Sequence, residues 1–144
     1  MAEGNLVQHR VTRAIIGAFY EVYNHLGPGF LEAFYALAME RELRARGHSV
    51  VREVAVRVMY KGEELGRQRL DMIVDGVVVV EIKSTPSLAP VARRQLHAYL
   101  RATNLEVGLL LHFGPDPKFH RSLSPTRQGQ TVNPDESDLI RSRR

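Results

Sequence analysis

Three charged residues interrupt stretches that are otherwise apolar. Glu81 and Lys83 flank Ile82 at the end of the run Val77-Val78-Val79-Val80, and Asp71 stands between Leu70 and Met72-Ile73-Val74. An Asp and a Glu held close together are the oxygen donors that a hard divalent cation such as Mg²⁺ takes, with other positions left to water. A lysine beside such a cation can orient or deprotonate a water, or offset negative charge that develops on a phosphate. The same residues also fit an ion-paired cluster at a sheet end, with Lys83 neutralising a carboxylate. Spacing alone leaves both readings open.

Whether these residues meet depends on strand parity. Gly66–Val74 and Val77–Lys83 read as strands joined at Asp75-Gly76, a strong hairpin signal. The second strand is apolar on both faces and is expected at the centre of a sheet. Glu81 and Lys83 share one face because side chains alternate. A loop of Asp75 and Gly76 alone puts Asp71 opposite Val80, turned away from Glu81. A loop that also takes in Val77 puts Asp71 opposite Glu81 and gathers Leu70, Met72, Val74, Val78, Val80 and Ile82 on one apolar face. The second register sorts charge from apolar surface, which burial favours, so an odd loop or an equivalent bulge is expected.

Helices on either side supply further candidates. Leu6–Leu26 carries an apolar stripe of helical period and is stopped by Gly27-Pro28-Gly29. A second helix runs from Leu31 to Arg46 with Phe34, Leu37, Ala38 and Leu43 as its expected core side, and Gly47 closes it. Glu32 lies in its first turn, where the helix dipole favours a carboxylate, and Tyr35 and Met39 continue the same stripe. Val54, Val56 and Val58 alternate as a strand, and Lys61–Glu64 is a turn. Pro90 opens a third helix to Thr103, and Leu105–Phe113 is a buried strand. Gln95 and Tyr99 share one side of that helix. Such residues hold a water or a phosphate oxygen, or pack as core. The order is helix, helix, three strands, helix, strand: an α/β sandwich around one mixed sheet. A folded domain over 1–123 and a disordered tail over 124–144 are expected from the polar composition after Leu123.

Composition narrows the classes. The chain has 144 residues, enough for one domain, and no cysteine, which excludes disulfides, thiolate metal sites and cysteine nucleophiles. Its six histidines show no tight paired spacing; His97 and His112 read as surface or sheet-edge residues. Gly27-Pro28-Gly29 is no phosphate loop, since no Gly-Lys-Ser/Thr follows. The apolar runs are too short to span a membrane and the first residues lack the marks of a signal peptide, so a cytoplasmic protein is expected. A net charge of +4 permits contact with a polyanion. Arg93, Arg94 and Arg101 read as a solvated helix face, or as phosphate contacts if the third helix borders the site.

Taken together, Gly29-x-x-Glu32-x-x-Tyr35, Asp71, Glu81-Ile82-Lys83 and Gln95-x-x-x-Tyr99 resemble the GxxExxY family, a branch of the PD-(D/E)XK nuclease superfamily. Leu26–Glu32 and Leu109–Gly114 look like its opening and closing signatures, and the likeness extends from Val7 to Leu123. The resemblance implies a restriction-endonuclease-like α-β-β-β-α-β core, with an additional N-terminal helix and a metal site at one sheet end. It carries over Asp71 and Glu81 as ligands of Mg²⁺ or Mn²⁺, Glu32 as a further ligand, and Lys83, Gln95 and Tyr99 as catalytic residues. Leu70 stands where a proline often precedes the aspartate, and no charged motif position is lost. The implied activity is hydrolysis of phosphodiester bonds in nucleic acid, DNA rather than RNA. The alternative is a catalytically silent nuclease-fold module that binds nucleic acid or a partner protein. A chain this short has little room for a sequence-reading domain, so intrinsic specificity is expected to be low, or else supplied by a homodimer or a partner protein.

Overall fold

Val11, Ile15, Ala18, Phe19 and Val22 recur at helical spacing and are all buried, which fixes the inner side of the first helix, α1 (Ala2–Leu26). The computed structural model describes residues 2–124, with side chains from Gln8 onward; the tail expected over 124–144 lies, apart from Ser124, outside the described residues. Gly27 ends α1 at φ 66°, its amide bonded to Tyr23 O at 2.8 Å. The second helix, α2 (Glu32–Ala45), buries Tyr35, Ala36, Met39 and Leu43. This corrects the expected core side: Phe34 and Leu37 are 54% and 43% exposed. Phe34 to Met39 are apolar without a break, so period alone does not choose a side.

The strands are β1 (Val50–Tyr60), β2 (Glu63–Val74), β3 (Val78–Lys83), β4 (Val107–Phe113) and β5 (Pro117–Leu123), with α3 (Pro90–Thr103) between β3 and β4. They form one sheet in the order β1-β2-β3-β4-β5. Only β3 and β4 run parallel, as a crossover through α3 requires, so the sheet is mixed. β5 adds a strand to the expected order. Lys118-Phe119-His120-Arg121 has too little apolar content to announce a strand, and Pro117 is tolerated because it opens an edge strand. Helices α1 and α2 cover one face, over Val50, Met72, Val74, Val78, Val80, Ile82, Leu109 and Leu111. α3 covers the other, over Val54, Val56, Leu70, Ile73, Val79 and Leu110. The architecture is the α/β fold expected from the sequence, consistent with a restriction-endonuclease-like core. No helix among the described residues is long and apolar enough to cross a membrane.

The β2–β3 connection has the odd loop that parity demands. Val74 pairs with Val78, Asp75 and Gly76 take φ of 53° and 70°, and the Val77 amide donates to Val74 O at 3.0 Å. One residue departs from the expected sorting: Leu70 packs under α3, whereas Met72 packs under α1 and α2. The two pairs Arg52↔Met72 and Val54↔Leu70 straddle Glu53 and Asp71. Glu53, at φ 53°, is where the β1–β2 ribbon turns its faces over.

Candidate active site

Pairing between β2 and β3 stops at Met72↔Val80, and the next two side chains, Asp71 and Glu81, fill the gap between the parting strands. The Asp71 amide donates to Glu81 Oε1 at 2.9 Å, and the Ile82 amide donates to Asp71 Oδ2 at 2.6 Å. Each carboxylate thus satisfies a backbone donor that the ladder has released. Glu81 is buried and Asp71 half-buried. Burial, and then the neighbouring Asp71 charge, push the Glu81 carboxyl up to about 8; the Asp71 amide and Lys83 pull the other way. Asp71 is raised as well, by burial first, against the Ile82 amide, with Glu32 adding to the rise. Two such carboxyls cannot both ionise cheaply, so burial and mutual repulsion favour a proton on the pair.

Lys83 follows Glu81 on the same side of β3 and attracts both carboxylates, yet forms no ion pair within 4.0 Å among the described residues. Its ammonium is therefore not committed to neutralising either acid. Glu32 opens α2 and faces the end of β3, where its Oε1 accepts the Ser84 amide at 3.3 Å. Among the described residues no group of three or more His, Asp and Glu converges to hold a metal, so Glu32 stands beside the acidic pair. Tyr99 on α3 is buried, its hydroxyl pushed up by burial first and then by Glu81 and Asp71, so it too belongs to this cluster. Gln95, one turn earlier, is exposed, and no hydrogen bond reaches it among the described residues. The structure thus brings together Asp71, Glu81, Lys83 and Tyr99, sets Glu32 at their margin, and leaves Gln95 on the surface.

Three further residues, Tyr35, Gly29 and Ser84, hold this arrangement in place, and the sequence reading gives none of them this anchoring part. The Tyr35 hydroxyl donates to Gly27 O at 2.5 Å and accepts the Phe30 amide at 3.1 Å, and its ring stacks on Phe113 at 4.2 Å. Gly29 takes a φ of 107°, a conformation that favours glycine. Ser84 Oγ donates to Phe30 O at 2.5 Å, tying the same loop to the end of β3. The spacing Gly29-x-x-Glu32-x-x-Tyr35 is the available signal for two of these; Ser84 has none. His112 corrects a reading: it is 5% exposed, not a surface or edge residue, because β5 covers the strand that carries it. Its Nε2 lies 2.7 Å from Thr85 O.

A cleft of about 750 Å³ opens between the Pro28–Glu32 loop, Ser84–Pro86 and Phe113–Pro115, and of the candidate site residues Glu32 lines it. Hard oxygen donors, a lysine without an ion pair and a phenol are a set that suits Mg²⁺ or Mn²⁺ and a phosphate ester. A family model described as the PD-(D/E)XK nuclease superfamily matches residues 9–122. The crystal structure of SSO0001 superposes with a TM-score of 0.51 at 21% identity, over 76% of this chain and 54% of that one. This chain therefore spans about half of that protein's length, and the likeness is one of fold. No curated protein matches. Because the family match runs from α1 to β5, across every element that carries the acidic pair, Lys83 and Tyr99, the chain belongs to the PD-(D/E)XK nuclease superfamily.

Proposed function

We propose that the protein is a Mg²⁺- or Mn²⁺-dependent nuclease of the GxxExxY branch, hydrolysing phosphodiester bonds of nucleic acid, DNA in preference to RNA. The observation that carries this reading is the Asp71–Glu81 pair, buried at Glu81 and half-buried at Asp71, with the Glu81 carboxyl pushed up to about 8 and Lys83 on the same side of β3 without an ion pair among the described residues. Asp71 and Glu81 hold the cation, and Glu32 assists from the start of α2. The cation, when bound, polarises the phosphoryl oxygen and neutralises its charge. Lys83 positions the attacking water or offsets the charge that grows on the pentacovalent phosphorus. Tyr99 donates a hydrogen bond to water or phosphate, and Gln95 orients the same groups once substrate covers its face of α3. The net charge of +4 suits a polyanionic substrate.

The lack of a third converging acid among the described residues supports a second reading, a silent nuclease-fold module that binds nucleic acid or a partner protein. One assay separates the two: labelled single- and double-stranded DNA and RNA, with Mn²⁺ or with EDTA, on the wild type and Glu81→Gln. The nuclease reading expects Mn²⁺-dependent cleavage by the wild type alone. Binding without cleavage under every condition defeats it.

A further inference from the structure

On the side of the sheet under α3, two rows of residues in register run from β3 across β4 to β5, one of them basic throughout and the other ending in a histidine. Lys83 pairs with His112, and His112 with Lys118; Glu81 pairs with Leu110, and Leu110 with His120. Residues in register on neighbouring strands project to the same side, and Leu110 packs under α3. Both rows therefore face α3, and they end in a cleft of about 720 Å³ that Arg93, His112, Lys118 and His120 line together with the start of α3. One carboxylate, Asp116, also lines it. None of the four basic residues enters an ion pair within 4.0 Å among the described residues. Helix α3 begins at Pro90 with no acidic residue in its first turn and no side-chain cap from Ala89, so its amide end presents positive potential to the same space.

We infer that this cleft is a phosphate subsite for the nucleic-acid backbone, taking a phosphodiester next to the one at Lys83. It rests on the nuclease reading above and extends it to substrate positioning. Two strand spacings, about 10 Å, separate Lys83 from Lys118, so the row reaches beyond the scissile phosphate. The His112 ring is fixed in the wall of the cleft, because its Nε2 is held on Thr85 O and a Cβ at Gly114 would come within 2.7 Å of it. The His120 imidazole is held below its ordinary value by burial and then by Arg93, His112 and Lys118, a positive field with no counter-charge among its causes. Arg93 and Lys118 are exposed and act as positioning residues for the chain of phosphates.

The test is fluorescence anisotropy of labelled single-stranded and duplex oligonucleotides in EDTA, for the wild type, Arg93→Gln, Lys118→Gln and the double variant. The double variant is expected to bind at least roughly tenfold more weakly, and its slope of log affinity against log salt to shrink by about 2. With Mn²⁺, KM rises and kcat is kept; melting curves show that these surface changes leave the fold intact. Inorganic phosphate is the competing probe. Unchanged affinity and salt slope, a wild type that binds no oligonucleotide, or phosphate bound as tightly as the oligonucleotide would each overturn the subsite. A wild type whose binding depends on Arg93 and Lys118 but that never cleaves keeps the subsite and removes the nuclease. Variants that bind and cleave like the wild type do the reverse.

Discussion

Asp71 and Glu81 exchange hydrogen bonds crosswise: the Asp71 amide reaches the Glu81 carboxylate, and the Asp71 carboxylate takes the amide of Ile82, the residue after Glu81. Charge repulsion and amide satisfaction therefore act on the same two side chains with opposite signs. Substitutions that separate the two terms are the sharpest probes of the site.

Asp71→Asn and Glu81→Gln keep an acceptor oxygen and remove a charge. In EDTA near pH 8 each is expected to raise stability by about 1–3 kcal/mol, the scale of repulsion between partly screened carboxylates. Asp71→Ala and Glu81→Ala also relieve repulsion but leave the Ile82 or Asp71 amide without its partner, a cost of about 1–3 kcal/mol. Their stability is expected near that of the wild type. Urea unfolding of all four ranks them, and amides no more stable than their alanine counterparts would refute the balance. Mn²⁺-dependent cleavage is lost in each.

A carboxyl whose folded pKa lies above its unfolded value stabilises the fold while it keeps its proton. Glu81, raised from 4.5 to about 8, thus contributes fully below pH 4.5 and loses its contribution as pH climbs towards 8. Metal-free protein is expected to weaken across that window, and Glu81→Gln to flatten the curve. Near pH 7, Mn²⁺ binding should release about one proton per chain. Calorimetry in buffers of different ionisation heat reads that number directly.

Lys83 has no ion pair to lose among the described residues. Lys83→Gln is expected to shift stability by less than about 1 kcal/mol while lowering cleavage by a factor on the order of 10² to 10³. A fall in stability of about 3–5 kcal/mol would instead mark a buried ion pair and turn the site into a structural cluster.

Tyr35→Phe removes a buried hydroxyl that serves both Gly27 O and the Phe30 amide. Destabilisation of about 1–3 kcal/mol is expected, with a loss of cleavage from displacement of Glu32. Limited proteolysis at Pro28–Leu31 should become faster, and unchanged proteolysis would leave the hydroxyl with no part in holding the loop.

The hairpin that carries the acidic pair is legible in the sequence because parity is binary: one loop length sorts charge from apolar surface, and the other mixes them. The same rule fails at Leu70, since nothing in the identity of Glu53 announces a φ of 53° and a ribbon that turns over. The inner side of α2 is illegible because the helix is apolar over most of its circumference; Tyr35 goes inside through partners on a loop before it and a strand far after it. β5 hides for the opposite reason: Lys118, His120 and Arg121 leave it too little apolar content to announce a strand. His112 looks peripheral in the sequence because the strand that encloses it is itself hidden there.

The two halves of the acidic cluster differ in how far the chain must travel to make them. Asp71 and Glu81 lie ten residues apart across a hairpin, whereas Glu32 meets Ser84 over a separation of 52. Closing a short hairpin takes on the order of microseconds, and contacts between distant segments wait on the loops they close. Loop-closure entropy therefore weighs less on the Asp71–Glu81 hairpin than on the Glu32–Ser84 contact.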